Sequence, residues 1–304
     1  MEQAASTARG VGEGLWLRLG RLPGLSAKPL AACSWCGVSG PAGVFGMRPL
    51  KYRKGQRISG FFGLPQAVVA AISIPTSARR ARLSMSLQVI EAQTGENPVA
   101  TVLILHGLGA DGGDFVPVAE QFDLSQVGPV RFVFPSAPVM PVTINGGYQM
   151  PAWYDILGAD LTQRQDEAGL RKSQMAIDAL IEREKSRGIP ADRIVVAGFS
   201  QGCAMALMTG LRHRDRLAGI LCMSGYLPLA DKTAAERSAA NQGVPIFMAH
   251  GTRDPVVVLA RATASRDYLQ SLGYPVQWHE YAMEHSVCQE EIADMQAWLQ
   301  KVLA

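Results

Sequence analysis

The chain has 304 residues, 48% of them hydrophobic and 18% charged, with a formal net charge of +3. This balance excludes a fibrous or wholly disordered chain and leaves room for one large α/β domain or two small ones. The charge is unevenly spread: residues 1–84 carry 12 Lys/Arg against 2 Asp/Glu, whereas residues 85–304 carry 17 against 24.

Residues 1–84 show no sustained helix or strand period and are rich in Gly, Pro, Ser, Ala and Arg. They read as a basic, poorly ordered extension. Leu30-Ala-Ala-Cys33 resembles a lipoprotein processing site, but Arg18, Arg21 and Lys28 interrupt the apolar run that should precede it. Ile58 to Ala78 is uncharged, yet Pro65, Gln66 and Pro75 break it as a spanning helix. A signal peptide starting at Met47 is opposed by Arg79, Arg80 and Arg82 directly after its small residues. The favoured expectation is that translation begins at Met85, where the organised sequence starts. Cys33 and Cys36 form a lone C-x-x-C with no second pair. Five cysteines without framework spacing point to a reduced, cytoplasmic protein.

From Leu87 the pattern becomes regular. Leu87 to Glu91 is a candidate edge strand, and Val99 to Leu105 a continuous apolar run of the kind buried on both faces. Val130 to Phe134 is a third strand, expected to end at Pro135. Glu167 to Lys185 has helical spacing, with cations toward its C-terminal end. Arg193 to Ala197 forms the next strand and is followed by a helix to about Arg212. Strands at 217–223, 244–249 and 276–281 then alternate with helices at 257–272 and 290–303. This alternation predicts one domain over 85–304, a mostly parallel sheet with helices on both faces.

Gly198-Phe199-Ser200-Gln201-Gly202 spells G-x-S-x-G between a strand and a helix, the context of a nucleophile elbow. A serine hydroxyl attacks only when a base removes its proton, and a third group must hold that base in the right tautomer. Around such an elbow the partners follow in the order Ser, Asp or Glu, then His. Asp254 lies in the loop after strand 244–249, and His285 in the loop after the last strand, so Ser200, Asp254 and His285 satisfy the order. Of the other histidines, His106 precedes the serine, His213 sits among arginines and is expected to be solvated, His250 shapes a strand end, and His279 lies within a strand. The tetrahedral intermediate needs N–H donors. Gln201 supplies one, and Leu108 is the candidate for the other. It lies in the loop His106-Gly107-Leu108-Gly109, where glycine lets the backbone approach a substrate.

These stretches, together with Phe134-Pro-Ser-Ala-Pro138 and Pro151-Ala-Trp-Tyr-Asp155, resemble the phospholipase/carboxylesterase family. That family includes acyl-protein thioesterases and small bacterial carboxylesterases of the α/β-hydrolase fold. The resemblance covers 85–304 and is silent on 1–84. It implies Ser200 as nucleophile, His285 as base, Asp254 as orienter, and Leu108 and Gln201 as oxyanion donors. It also implies that Trp153 and Phe199 line the acyl side of the cleft, beside Gly107 and Gly109.

The expected activity is a metal-free and cofactor-free serine hydrolase of carboxylic esters with short to medium acyl chains, because no long lid insertion is evident. An acyl-protein thioesterase or lysophospholipase is the alternative. A non-catalytic binding module and an esterase anchored by the basic extension are more distant readings. Expected partners are a small-molecule ester or acyl thioester, with no nucleic acid and no stable membrane insertion; a homodimer is left open.

Overall fold

The computed structural model describes the backbone of Lys51–Tyr52 and residues 87–158 and 164–304. The expectations for the basic extension, for Cys33 and Cys36 and for a start at Met85 lie outside these residues, apart from β1 (Lys51–Tyr52), whose backbone pairs antiparallel with Gln93 and Ala92. An eight-stranded sheet organises the described part, in the order β1-β2-β4-β3-β7-β8-β9-β10. Its members after β1 are β2 (Gln88–Gln93), β3 (Ala100–Leu105), β4 (Val130–Ser136), β7 (Ile194–Phe199), β8 (Gly219–Met223), β9 (Ile246–Gly251) and β10 (Val276–Tyr281). From β4 to β10 every neighbouring pair is parallel, and only β2 runs against β4.

The continuous apolar runs are strands covered on both faces, and the two-residue period divides their side chains between two cores. Leu103 and Leu105 of β3 join Ile194 and Val196 of β7 on one face, packed against Leu170, Ile177 and Ile181 of α2 (Glu167–Ser186) and Met205 and Leu207 of α3 (Gln201–Gly210). Val102 and Ile104 join Val195, Ala197, Phe132 and Phe134 on the other. There they meet Val118 of α1 (Val116–Ala119) and Met295, Trp298 and Leu299 of the last helix. That helix is α6 (Gln289–Val302), preceded by α4 (Ala230–Glu236) and α5 (Leu259–Ser271). Each fully buried aliphatic side chain contributes about 2 kcal/mol through removal from water. The α/β sandwich expected from the alternation is therefore the observed fold.

Two local expectations change. β4 does not stop at Pro135 but continues to Ser136. Beyond Leu103↔Val133 it has left β3 and pairs only with β2, so a residue without an N–H is tolerated there as on an edge strand. The second change is a hairpin between β4 and α2: β5 (Val139–Val142) and β6 (Tyr148–Pro151) pair antiparallel as a separate sheet. Gly146 and Gly147 turn it with φ of 66° and 81°, values that glycine adopts without a Cβ clash. This insertion was not legible in the sequence.

The sheet order fixes where chemistry can gather. From β3 the chain moves outward to β4 and then crosses back to β7, so the direction of winding switches between β3 and β7. Loops leaving the carboxyl ends of the strands diverge at such a point and open a crevice. The glycine-rich loop follows β3, and Ser200 follows β7.

One buried group on α6 makes the fold sensitive to pH. Glu291 is fully buried, and neither carboxyl oxygen meets hydrogen-bond geometry with a donor among the described residues. Burial, helped by the charge of Asp294 and only partly opposed by the Cys288 N–H, pushes its pKa up to about 8. The folded state thus holds a proton that the unfolded chain releases at ordinary carboxylate pH. The resulting stability is complete below that range and is lost as pH rises through about 8. Glu291→Gln, which is neutral at every pH, is expected to melt close to the wild type at pH near 4 and several degrees above it at pH near 9. Melting curves across that range check this; a constant offset between the two proteins would refute it.

Candidate active site

Ser200 stands between β7 and α3 with φ 55° and ψ −115°, in the left-handed region that a residue with a Cβ rarely adopts. The strain is held by crowding on every side. A Cβ on Gly198 would lie 2.2 Å from the Gly202 carbonyl oxygen, and one on Gly202 only 2.1 Å from the Leu105 carbonyl oxygen. Backbone cannot give way as a side chain can, so the two glycines of the pentapeptide let α3 cross the end of β3. The Ser200 N–H is fastened to the Met223 carbonyl at 2.9 Å, which locks the turn to β8.

Asp254 and His285 arrive from two further strands. His285 Nδ1 lies 2.6 Å from Asp254 Oδ2, and its Nε2 lies 2.9 Å from Ser200 Oγ. A carboxylate only accepts, so Nδ1 carries the proton and Nε2 presents a lone pair to the serine hydroxyl. The other Asp254 oxygen accepts from the Val256 and Val257 N–H groups at 2.8 and 2.9 Å. Burial works to raise the Asp254 pKa, but the His285 hydrogen bond and charge and these two N–H groups outweigh it and hold the carboxyl below its ordinary range. His250 braces the same loop: it is buried and its Nε2 donates to the Val257 carbonyl at 2.6 Å. Phe199 is buried beneath, its ring 4.7 Å from that of His285.

The loop after β3 passes directly over the elbow, since a Cβ on Gly107 would come within 3.4 Å of Ser200 Cβ. Gly107 to Ala110 is a tight turn closed by Ala110 N–H to Gly107 carbonyl at 3.3 Å, with Gly109 at φ 80°. A type II turn demands such a φ at its third position, and only glycine takes it freely. Among the described residues the Leu108 N–H donates to no protein acceptor. Gln201 opens α3, so its own N–H has no partner within the helix and sits at the positive end of the helix dipole.

The sequence-predicted site residues are thus drawn together, with one difference of emphasis. Trp153 is only 2% exposed, and its polar groups hold structure: the ring N–H donates to the His106 carbonyl at 2.9 Å and the backbone N–H to Gln201 Oε1 at 2.8 Å. His213 corrects an expectation. It is buried rather than solvated, with Nδ1 2.8 Å from Asp178 Oδ1. It also approaches Glu182 and Asp215. Lys185 bridges those two carboxylates and Arg214 adds a 2.9 Å contact to Glu182, so their charges are compensated by ion pairs.

Comparison with known proteins adds the family to which this chain is similar. Residues 86–303 match the model of a family described as Phospholipase/Carboxylesterase. An acyl-protein thioesterase 1 of Neurospora crassa is 44% identical over 209 residues, covering 66% of this chain and 85% of the relative. Another, from Mycosarcoma maydis, is 42% identical over 232 residues, covering 71% and 96%. Among solved structures, acyl-protein thioesterase 2 of Zea mays superposes with a TM-score of 0.63 at 26% identity, covering 71% of this chain and 99% of that one.

Proposed function

The chain belongs to the phospholipase/carboxylesterase family of ester and thioester hydrolases, and from that premise we propose that it is a serine hydrolase of acyl thioesters, acting through an acyl-Ser200 intermediate. The observation that carries the reading is the unbroken line Asp254–His285–Ser200, with contacts of 2.6 and 2.9 Å, ending at a strained elbow.

Ser200 Oγ adds to the acyl carbon while its proton passes to His285 Nε2. Asp254 stabilises the imidazolium that forms and keeps the ring in register. The carbonyl oxygen becomes an oxyanion facing the N–H groups of Leu108 and Gln201, with the α3 dipole behind them. Collapse breaks the carbon–sulfur bond, and the thiol leaves with the proton from His285. Water then gives its proton to the same nitrogen and attacks the acyl-serine; breaking the Ser200 ester releases the carboxylic acid and restores the hydroxyl.

The thioester preference replaces the short-acyl carboxylesterase reading. Relatives above 40% identity are named acyl-protein thioesterases. Short acyl chains are the expectation where no long lid insertion is evident; the short β5–β6 hairpin stands after β4, and its Pro151 carbonyl accepts from the Gly109 N–H of the glycine-rich loop at 2.9 Å. The test is a matched panel of acyl thioesters and oxyesters running from butanoyl to hexadecanoyl, with kcat/KM measured on each. Thioesters should exceed the corresponding oxyesters, most clearly for the long chains. Fast turnover of butanoyl oxyesters with no detectable thioester cleavage would return the enzyme to the carboxylesterase reading.

A further inference from the structure

His106 takes no part in the proton transfers just described, yet it is 1% exposed and both its ring nitrogens are engaged. The Ala137 N–H, which can only donate, meets Nε2 at 2.9 Å. The Gly107 carbonyl, which can only accept, meets Nδ1 at 2.7 Å. These two partners admit one state of the ring: neutral, with the proton on Nδ1. Burial favours the same state by lowering the pKa, against the opposing effects of the Gly107 hydrogen bond and the Asp111 charge.

The Gly107 carbonyl belongs to the same peptide plane as the Leu108 N–H, and in a trans peptide the two point to opposite sides. A hydrogen bond that draws the carbonyl toward the His106 ring therefore turns the N–H the other way. Gly107 lies beside Ser200, so the peptide that carries this N–H sits against the nucleophile. The loop is in turn tied to the elbow by side chains. Trp153 Nε1 donates to the His106 carbonyl, Gln201 Oε1 accepts from the Trp153 N–H, and Gln201 Nε2 donates to the Tyr154 carbonyl at 2.7 Å. The residue that offers one oxyanion donor from its backbone thus anchors, through its side chain, the segment that holds the other.

We propose that His106 is a positioning residue that aims the Leu108 N–H at the oxyanion through the Gly107 carbonyl, within a circuit closed by Trp153 and Gln201. The inference rests on Ser200 being the nucleophile. It places the worth of His106 in the transition state, since the oxyanion exists only there.

Two substitutions separate the ring's bonds. The amide nitrogen of Asn reaches about as far from Cβ as Nδ1, so His106→Asn retains a donor for Gly107. The longer Gln places its amide near Nε2, so His106→Gln retains a partner for Ala137 and loses the donor to Gly107. His106→Gln should lower kcat by about 10²-fold with little change in KM, the loss typical of one misaimed oxyanion donor, whereas His106→Asn should stay within about tenfold of the wild type. Affinity for a trifluoromethyl ketone, which forms an oxyanion on Ser200, should fall in step with kcat. Equal kcat values for the two variants, or a loss confined to KM, would overturn the role. Nitrogen NMR of the wild type needs no variant to fold: it should show a protonated Nδ1 and a bare Nε2 on His106 across the active pH range, and the opposite tautomer would refute the proposal. Fluorophosphonate labelling of the same samples keeps the two readings apart. Labelling at Ser200 with indistinguishable variants overturns the role of His106 alone; an unlabelled wild-type Ser200 removes the nucleophile as well.

Discussion

Ser200→Ala will lower thioester and ester turnover by at least about three orders of magnitude while the protein melts no lower than the wild type. The direction for stability follows from the turn. Ser200 is intermediate in exposure, keeps its backbone fastened to Met223 and Ala204, and loses only an oxygen that among the described residues is hydrogen-bonded to His285. The activity loss follows from chemistry: without Oγ no acyl-enzyme forms, and what remains is binding and oxyanion stabilisation of a direct attack by water. A fluorophosphonate should label the wild type at this serine and leave the variant untouched. An alanine variant that still turns over substrate would remove Ser200 from the reaction.

His285→Ala should be about as damaging, and combining it with Ser200→Ala should add little, because groups that act as a unit are not additive. The control is His279→Ala. That ring belongs to β10, 3.2 Å from Asp294 and stacked 4.9 Å from Phe247, and it takes no part in the line to Ser200. Its loss should cost some stability and leave kcat close to that of the wild type. His213→Ala should behave likewise, with a clear drop in Tm because the ring is buried beside Asp178. Steady-state kinetics with parallel melting curves distinguish the cases. A His285 variant retaining more than about a tenth of the wild-type kcat would end its role as the base.

How much of this was readable beforehand depends on the range over which each feature is encoded. β3 and β7 are continuous apolar runs because a strand buried in a parallel sheet advertises itself locally, and β10, the edge strand with exposed and half-buried residues, still spans the very residues expected. The line of contacts from Asp254 through His285 to Ser200 was legible by order along the chain, since the fold dictates which strand end each partner must follow. The β5–β6 hairpin was not. Pro138, Pro141 and Pro151 hide the strand pattern, and its alternation of exposed and half-buried residues gives weak contrast. His106 was set aside because it is in the wrong place for a base. Its actual partners are its neighbour Gly107 and Ala137, 31 positions away, a pairing visible only once β4 lies beside β3. His213 was misjudged because flanking arginines suggest solvent, whereas their charges are absorbed by Glu236, Glu182 and Asp215.

The hydrogen bond between Ser200 and His285 spans 85 positions, and the histidine precedes only the closing helix. During synthesis the elbow strand and α3 leave the ribosome long before the base exists, so the growing chain exposes a serine with no group to deprotonate it. On the proposed mechanism a partly folded chain that has built β3 to β8 would be inactive, because Asp254 follows β9 and His285 follows β10. On that mechanism reactivity toward acyl groups begins only when the sheet is complete to its last strand, β10, which stands at the sheet's edge.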